Sequence, residues 1–350
     1  MRVTVVIPFH RNLGQLQQSL PAARHSMPSA EIIVAADGAL DDCRPLAATC
    51  GARVVEISGP AGPAVARNRA VAGASGDIVV FVDADVVVMP DAIPGMCRLL
   101  DTSPDIAAVF GAYDLAPAEP NFMSQFKNLS HSYVHEKGNP EAVTFWAGLG
   151  AVRTAVFRAV GGFDERFGRP SVEDIELGYR IVAAGHRIRL DPRFRGTHLK
   201  HWTFLNCVAT DLRARGIPWT QLIHRRGDAR NDLNTSVALR FSVLTAYLAV
   251  FSAVVAGVVP LALVATVFLL LVLVALNLDY YRWFVRHRGP TFALRVLPVH
   301  LVHHLSNGVS FIVGTVLHIA GRWGLRLPGA LPLSVWNGKS GMNLSAGARS

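Results

Sequence analysis

The chain's 350 residues are enough for two or three domains with a sizeable core, and a mean hydropathy of +0.32 is high for a wholly soluble protein. A formal charge of +9 calls for an anionic partner, lipid head groups or a nucleotide. No run combines dense Lys/Arg with interleaved aromatics, which speaks against nucleic acid. The four cysteines (Cys43, Cys50, Cys97, Cys207) have neither a Cys-x-x-Cys pair nor zinc spacing, so buried or incidental thiols in a reducing compartment are expected.

In chain order, Val3–Pro8 reads as a first buried strand. The apolar run Val3–Phe9 is too short for a signal peptide, contains Pro8 and gives way to His10-Arg11, so the N-terminal half is expected in the cytoplasm. A helix over Leu13–Arg24 follows, then a strand over Glu31–Ala36 that ends in Asp37-Gly38, with Asp41 and Asp42 close behind. A third strand, Arg53–Ile57, leads through a Gly/Pro loop (Gly59 to Pro63) into a helix over Ala64–Ala74 that carries Arg67, Asn68 and Arg69. Gly76 stops it, and Ile78–Val82 is a fourth, wholly apolar strand. Strands alternating with helices about every 25 residues predict βαβ units and a mostly parallel sheet. Right-handed crossovers then bring Asp37 to the same sheet edge as the acids after the fourth strand.

Those acids are Asp83 and Asp85, separated by Ala84. In extended chain this spacing puts both carboxylates on one face, at the carboxyl end of a strand, where open α/β sheets bind ligands. Two close carboxylates suit a hard cation, Mg²⁺ or Mn²⁺, that carries substrate phosphates. A strand that simply ends in a solvated polar turn fits the same letters. Asp37-Gly38 also fits a plain turn, Arg67 and Arg69 a solvated helix face, and Glu173-Asp174 a helix start enriched in acid.

Taken together in order, the motifs resemble the family-2 glycosyltransferases with a GT-A fold. They are Val5-Val-Ile-Pro-Phe-His10, Asp37-Gly38, Ala66-Arg-Asn68, Asp83-Ala-Asp85, Gly148-Leu-Gly150, Val160-Gly-Gly-Phe-Asp-Glu165 and Glu173-Asp-Ile-Glu-Leu-Gly-Tyr-Arg180. The likeness covers roughly residues 1–205. It implies an α/β, Rossmann-like catalytic domain that inverts the sugar's anomeric centre. It implies further that Asp37 lies near the nucleobase, with the backbone of Pro8–His10 as a wall of that pocket. Arg67 and Asn68 match positions that face the nucleotide. By the same likeness Asp83 would contact the ribose or support the cation, and Asp85 would ligate it. Asp174, in the pair Glu173-Asp174, matches the base that deprotonates the acceptor. Where the family usually has two acids before the glycine, this chain has Ala36 and Asp37. After Arg195 the chain reads Gly-Thr-His198-Leu-Lys200-His201-Trp202. Related enzymes carry a basic or histidine position hereabouts, so His198 is a candidate third ligand and Lys200 a phosphate contact, with a surface histidine as the alternative. The Gln-x-x-Arg-Trp pattern of processive synthases is missing, which favours single transfers.

Beyond the catalytic domain (1–205), residues 206–236 mix arginines with Trp219, Leu222 and Ile223 and read as an interfacial segment on anionic lipid. Residues 237–277 are about twice the roughly 20 residues that cross a bilayer, with Gly257 and Pro260 near the middle. They are expected to form a transmembrane hairpin of two helices. Residues 278–295 read as a basic cytoplasmic loop, 296–320 as a third transmembrane or re-entrant helix, and 321–350 as a flexible tail. His300, His303 and His304 share a helical face, but no His-Glu-x-x-His accompanies them, so a polar packing face is expected rather than zinc. The whole chain thus reads as a multi-pass cell-membrane protein with a cytoplasmic catalytic domain. Its partners would be a nucleotide-sugar donor, membrane lipids, and a lipid or small hydroxylated acceptor. The alternatives are a non-catalytic sugar-nucleotide-binding scaffold and, less well matched, a nucleotidyltransferase, which wants a Gly-rich basic loop where Phe9-His10-Arg11-Asn12 stands.

Overall fold

A computed structural model describes residues 1–226, 237–325 and 327–332. Two compact units divide the described chain, Met1–His201 together with Pro332, and Trp202–Leu331.

The first unit is a single sheet flanked by helices. Its opening half follows from buried runs of β-branched and small residues: β1 (Val3–Phe9), α1 (Leu13–Ser26), β2 (Glu31–Asp37), α2 (Arg44–Thr49), β3 (Arg53–Ile57), α3 (Pro63–Ala72) and β4 (Ile78–Val82). These strands lie in the order β3-β2-β1-β4, all parallel. Their carboxyl ends, and with them Asp37 and Asp83, therefore open on one edge, as parallel pairing requires. The α1 start is fixed from a distance. Asn12 takes a left-handed φ of 72°, and Asp41 accepts from the Asn12 and Leu13 amides at 2.7 and 3.1 Å.

The other half of the sheet is mixed. It comprises β5 (Val86–Val88), α4 (Ala92–Thr102), β6 (Ile106–Tyr113), α5 (Phe122–Lys137), β7 (Glu141–Ala142), β8 (Leu149–Arg153), α6 (Thr154–Ala159), α7 (Glu173–Ala183) and β9 (Arg187–His198). β8 runs antiparallel to β4 and β6, while β9 runs parallel to β6 and antiparallel to β5. The chain thus turns back on itself after β4, and Val86 pairs with His198. This reversal brings the last residue of β9 beside the acids that follow β4.

The second unit is helical: α8 (Phe204–Ala209), a π-helical segment (Thr210–Gly216), α9 (Ile217–Arg226), α10 (Val237–Val255), α11 (Ala262–Leu276), α12 (Leu278–Arg288) and α13 (Pro290–Arg322). Thr203 and Asn206 cap α8 reciprocally. The π-helical segment and α9 pack on α13 through small residues: a Cβ on Gly216 would meet Ser310, and one on Gly314 would meet Thr220. By length and apolarity, α10 and α13 can each cross a membrane, and the pair α11–α12, bent by 69°, makes up to three such spans. The segment expected as a basic loop is largely helix α12. Tyr281 and Phe284, three residues apart, give it a buried stripe: Phe284 stacks on Phe292, and the Tyr281 hydroxyl lies 3.0 Å from His300 Nδ1. Residues 227–236 of the expected interfacial segment and 333–350 of the expected tail lie outside the described residues.

Candidate active site

Asp37 leaves the end of β2 buried, and its carboxylate is taken up by backbone. Oδ1 accepts from the Ala61 amide at 2.7 Å and Oδ2 from the Gly62 amide at 2.8 Å. Its own carbonyl accepts from His10 Nδ1 at 2.8 Å, and Pro8 pairs with Ala35. Asp37 therefore shapes the loop between β3 and α3 and joins it to the end of β1. Gly38, at φ +51°, lies so close to that loop that a Cβ would sit 2.6 Å from the Gly59 carbonyl carbon.

The centre of the edge is Arg67. Its guanidinium is 5% exposed and bridges two elements, with Nη2 donating to Asp83 Oδ1 at 2.7 Å and Nη1 to Glu173 Oε1 at 3.1 Å. The Phe163 ring covers it, 5.3 Å from the guanidinium carbon. Asn68, the next residue of α3, holds that ring in place: it donates to the Phe163 carbonyl at 2.8 Å and accepts from the Phe163 amide at 2.9 Å. The Asn68 amide is thus engaged with backbone and with Glu165. Desolvation pulls the Arg67 pKa down, but the charges of Asp83 and Glu173 outweigh it and raise it.

Asp83-Ala84-Asp85 is a turn, not extended chain, which corrects the geometry expected from the spacing. The Val86 amide closes it onto the Asp83 carbonyl at 3.0 Å, Ser19 of α1 donates to the Ala84 carbonyl at 2.8 Å, and the Leu199 amide donates to the Asp85 carbonyl at 2.8 Å. The two carboxylates consequently find different partners. Asp83 meets Arg67, whereas Asp85 Oδ2 lies 3.4 Å from His198 Nε2. Desolvation raises the Asp83 pKa against the pull of Arg67, and the charge of Asp85 adds to the rise. Desolvation acts on Asp85 too, but the hydrogen bond and charge of His198 and the charge of Lys200 hold it below the usual carboxylate range. Lys200 itself is exposed.

Glu173 and Asp174 open α7. Glu173 Oε2 accepts from the Ser171 amide at 2.9 Å, and its other oxygen takes Arg67. Asp174 accepts from the Ala147 amide at 3.2 Å and its neighbour Ile175 at 2.8 Å. One turn on, Gly178 has no room for a Cβ, which would lie 2.3 Å from the Phe145 amide, so α7 can press its acid end onto the segment before β8. Burial, then the charge of Glu173, push the Asp174 carboxyl up to about 7.

Arg67, Asp83, Glu173 and Asp174 are therefore one electrostatic group, and Asp85 with His198 is a second beside it. Ser19 and Gly178 support these groups and carry no local sequence signal, because each acts through a partner far along the chain. Among the described residues, no three His, Cys, Asp or Glu side chains are gathered as a metal cage. A carboxylate and an imidazole side by side still fit a divalent cation whose remaining ligands come from substrate phosphates and water.

The description "Glycosyl transferase family 2" matches residues 4–161. That match spans most of the sheet-bearing unit, Met1–His201. A pre-mycofactocin glycosyltransferase of Mycobacterium tuberculosis is 30% identical over 203 residues, which span 54% of this chain and 41% of that protein. The match to this first relative thus leaves more than half of it unpaired. The succinoglycan biosynthesis protein ExoA of Rhizobium meliloti is 29% identical over 249 residues, 65% of this chain and 69% of that protein. Among solved structures, a mannosyltransferase from Pyrobaculum calidifontis, PcManGT, covers 94% of this chain with 77% of its own, at 17% identity and a TM-score of 0.47, a distant likeness. The mixed α/β sheet with its acid-lined edge fits the GT-A fold expected from the sequence motifs.

Two outcomes are expected. Arg67→Met strips the partner from buried Glu173 and should cost about 3 kcal/mol or more. Adding Glu173→Gln should recover part of that loss, read as melting temperature of each variant, and purely additive losses would contradict the bridge. Asp174, with a folded pKa above its unfolded value of about 3.9, adds stability below that value which is lost as pH rises through about 7. Asp174→Asn should therefore gain stability over the parent on going from acid to mildly alkaline buffer. An unchanged difference between the two across that window would refute the shift.

Proposed function

We propose that the protein is a membrane-anchored glycosyltransferase that moves a sugar from a nucleotide-sugar donor to a hydroxyl or phosphate acceptor, with inversion and with a divalent cation. The observation that carries the proposal is the split between two buried acids of this sheet edge: Asp174 is pushed up to about 7 while Asp85 is held low. Such a split separates a proton acceptor that works near neutral pH from a group that stays ionised.

In this reading Asp174 takes the acceptor's proton as the acceptor oxygen bonds to the anomeric carbon. The bond from that carbon to the donor's diphosphate breaks on the opposite face, so one displacement inverts the centre. Glu173 holds Arg67, and Arg67 holds Asp83 at the ribose side of the donor. Asp37 and the backbone of Pro8–His10 line the nucleobase pocket. Asn68 keeps Phe163 over Arg67 rather than meeting the nucleotide itself, and Lys200 meets phosphate. Asp85 and His198 would hold Mg²⁺ or Mn²⁺, which neutralises charge on the departing nucleoside diphosphate.

The apolar helices support a membrane anchor. α10, α11 and α13 expose Phe251, Val254, Leu263, Phe268 and Phe311, a surface that suits acyl chains. The arginines of α12 (Arg282, Arg286, Arg288) suit a cytoplasmic end by the positive-inside rule. An acceptor carried on lipid, such as a polyprenyl phosphate or glycolipid, gains effective concentration from such an anchor.

Single-turnover transfer and donor binding by the detergent-purified chain test the assignment of roles. Asp85→Ala should abolish cation-dependent donor binding. Asp174→Asn should bind donor like the parent yet lose at least about 100-fold in transfer rate, the usual scale of a general base. Transfer retained by the Asn variant would refute Asp174 as the base.

A further inference from the structure

We propose that Tyr113 is a positioning residue that fixes the ring plane of His198 and so the cation affinity of the Asp85–His198 pair. The inference rests on the cation reading above. An imidazole on a strand end has a broad, roughly two-fold χ2 preference, so its sequence position does not determine where its ring nitrogens point. Here the ring plane is selected by a neighbour. Tyr113 ends β6 opposite Gly196 of β9, and His198 follows two residues later on the same face.

The two rings stack with centroids 4.2 Å apart and planes only 9° from parallel, and both residues are buried. With that face covered, the imidazole presents Nε2 edge-on to Asp85 Oδ2 at 3.4 Å.

The tyrosine is itself held. Trp146 meets it edge-on at 4.8 Å and 86°, and His131 lies against it at 4.7 Å. The strand ends beneath are clipped together: the Asp114 amide donates to the Gly196 carbonyl at 2.9 Å, and Asp114 Oδ2 accepts from Thr197 Oγ1. Tyr113 cannot swing away without breaking this wall. A ring plane set by packing matters most to a ligand that must aim one lone pair, and supporting groups around metal ligands commonly change affinity by roughly 10- to 100-fold.

The experiment is Mn²⁺ binding to the full chain in detergent, followed by the electron paramagnetic resonance of free Mn²⁺, with a thermal melt for each variant. Tyr113→Phe keeps the flat face and should bind Mn²⁺ within about twofold of the parent. Tyr113→Leu and Tyr113→Met fill much of the space without a flat face and should weaken binding by roughly tenfold or more. Two such variants are compared so that a folding defect in one does not decide the result. Parent-like affinity in a folded Leu or Met variant would overturn the proposal, as would an equal loss in the Phe variant. Failure of the parent chain to bind Mn²⁺, or binding that survives Asp85→Ala, would instead sink the cation reading itself and this inference with it.

Discussion

One buried cation organises the candidate site. Arg67 sits on α3, yet its two terminal nitrogens end on acids from β4 and from α7, more than a hundred residues further on. In a low-dielectric position such a guanidinium is tolerable only with close anionic partners. The acids are likewise tolerable only with it. The bridge is a constraint more than a source of stability, because desolvation cancels much of the attraction. What it supplies is register: the turn after β4, the start of α7 and the inner face of α3 must meet at one point. Phe163, pinned by Asn68, closes the bridge on one side.

The same constraint divides the labour among the carboxylates. Arg67 satisfies Asp83 and Glu173 but makes no hydrogen bond to Asp174, where burial and then the repulsion of Glu173 outweigh the charge of Arg67 and two backbone amides, so its proton is held to near neutral pH. Asp85 is turned to the other side of the tight turn, where His198 and Lys200 keep it ionised. A short turn of three residues thereby feeds two different environments. The Ser19 hydroxyl and the Val86 and Leu199 amides lock that turn by donating to its three backbone carbonyls.

Much of this was legible in the chain. The strands at Val3, Glu31, Arg53 and Ile78 announce themselves by apolar runs between turn residues, and their parallel order puts Asp37 and Asp83 on one edge. The convergence of Arg67, Glu173 and Asp174 with Asp83 follows the order of family motifs. The turn at Asp83–Asp85 was not legible, because a strand followed by Asp-x-Asp has the same letters whether it continues or turns; only the pairing of Val86 with His198 decides it. The engagement of Asn68 with the Phe163 backbone is equally invisible, since a polar residue on a helix does not name its partner. Helix α12 was hidden by its charges, which mask the Tyr281 and Phe284 stripe that packs inward. The stack of Tyr113 on His198 joins positions 85 residues apart and leaves no trace in either local pattern.

The central claim is that the acid-lined edge of the sheet is a donor site. Detergent-purified full chain should be titrated with a panel of nucleotide sugars, with and without Mn²⁺, and binding and slow donor hydrolysis measured together. One donor is predicted to bind, and to bind only with the cation, with its hydrolysis rising with pH through the neutral region where Asp174 loses its proton. Failure of every donor to bind a chain shown to be folded would contradict the claim and leave a scaffold that retains the fold without the chemistry.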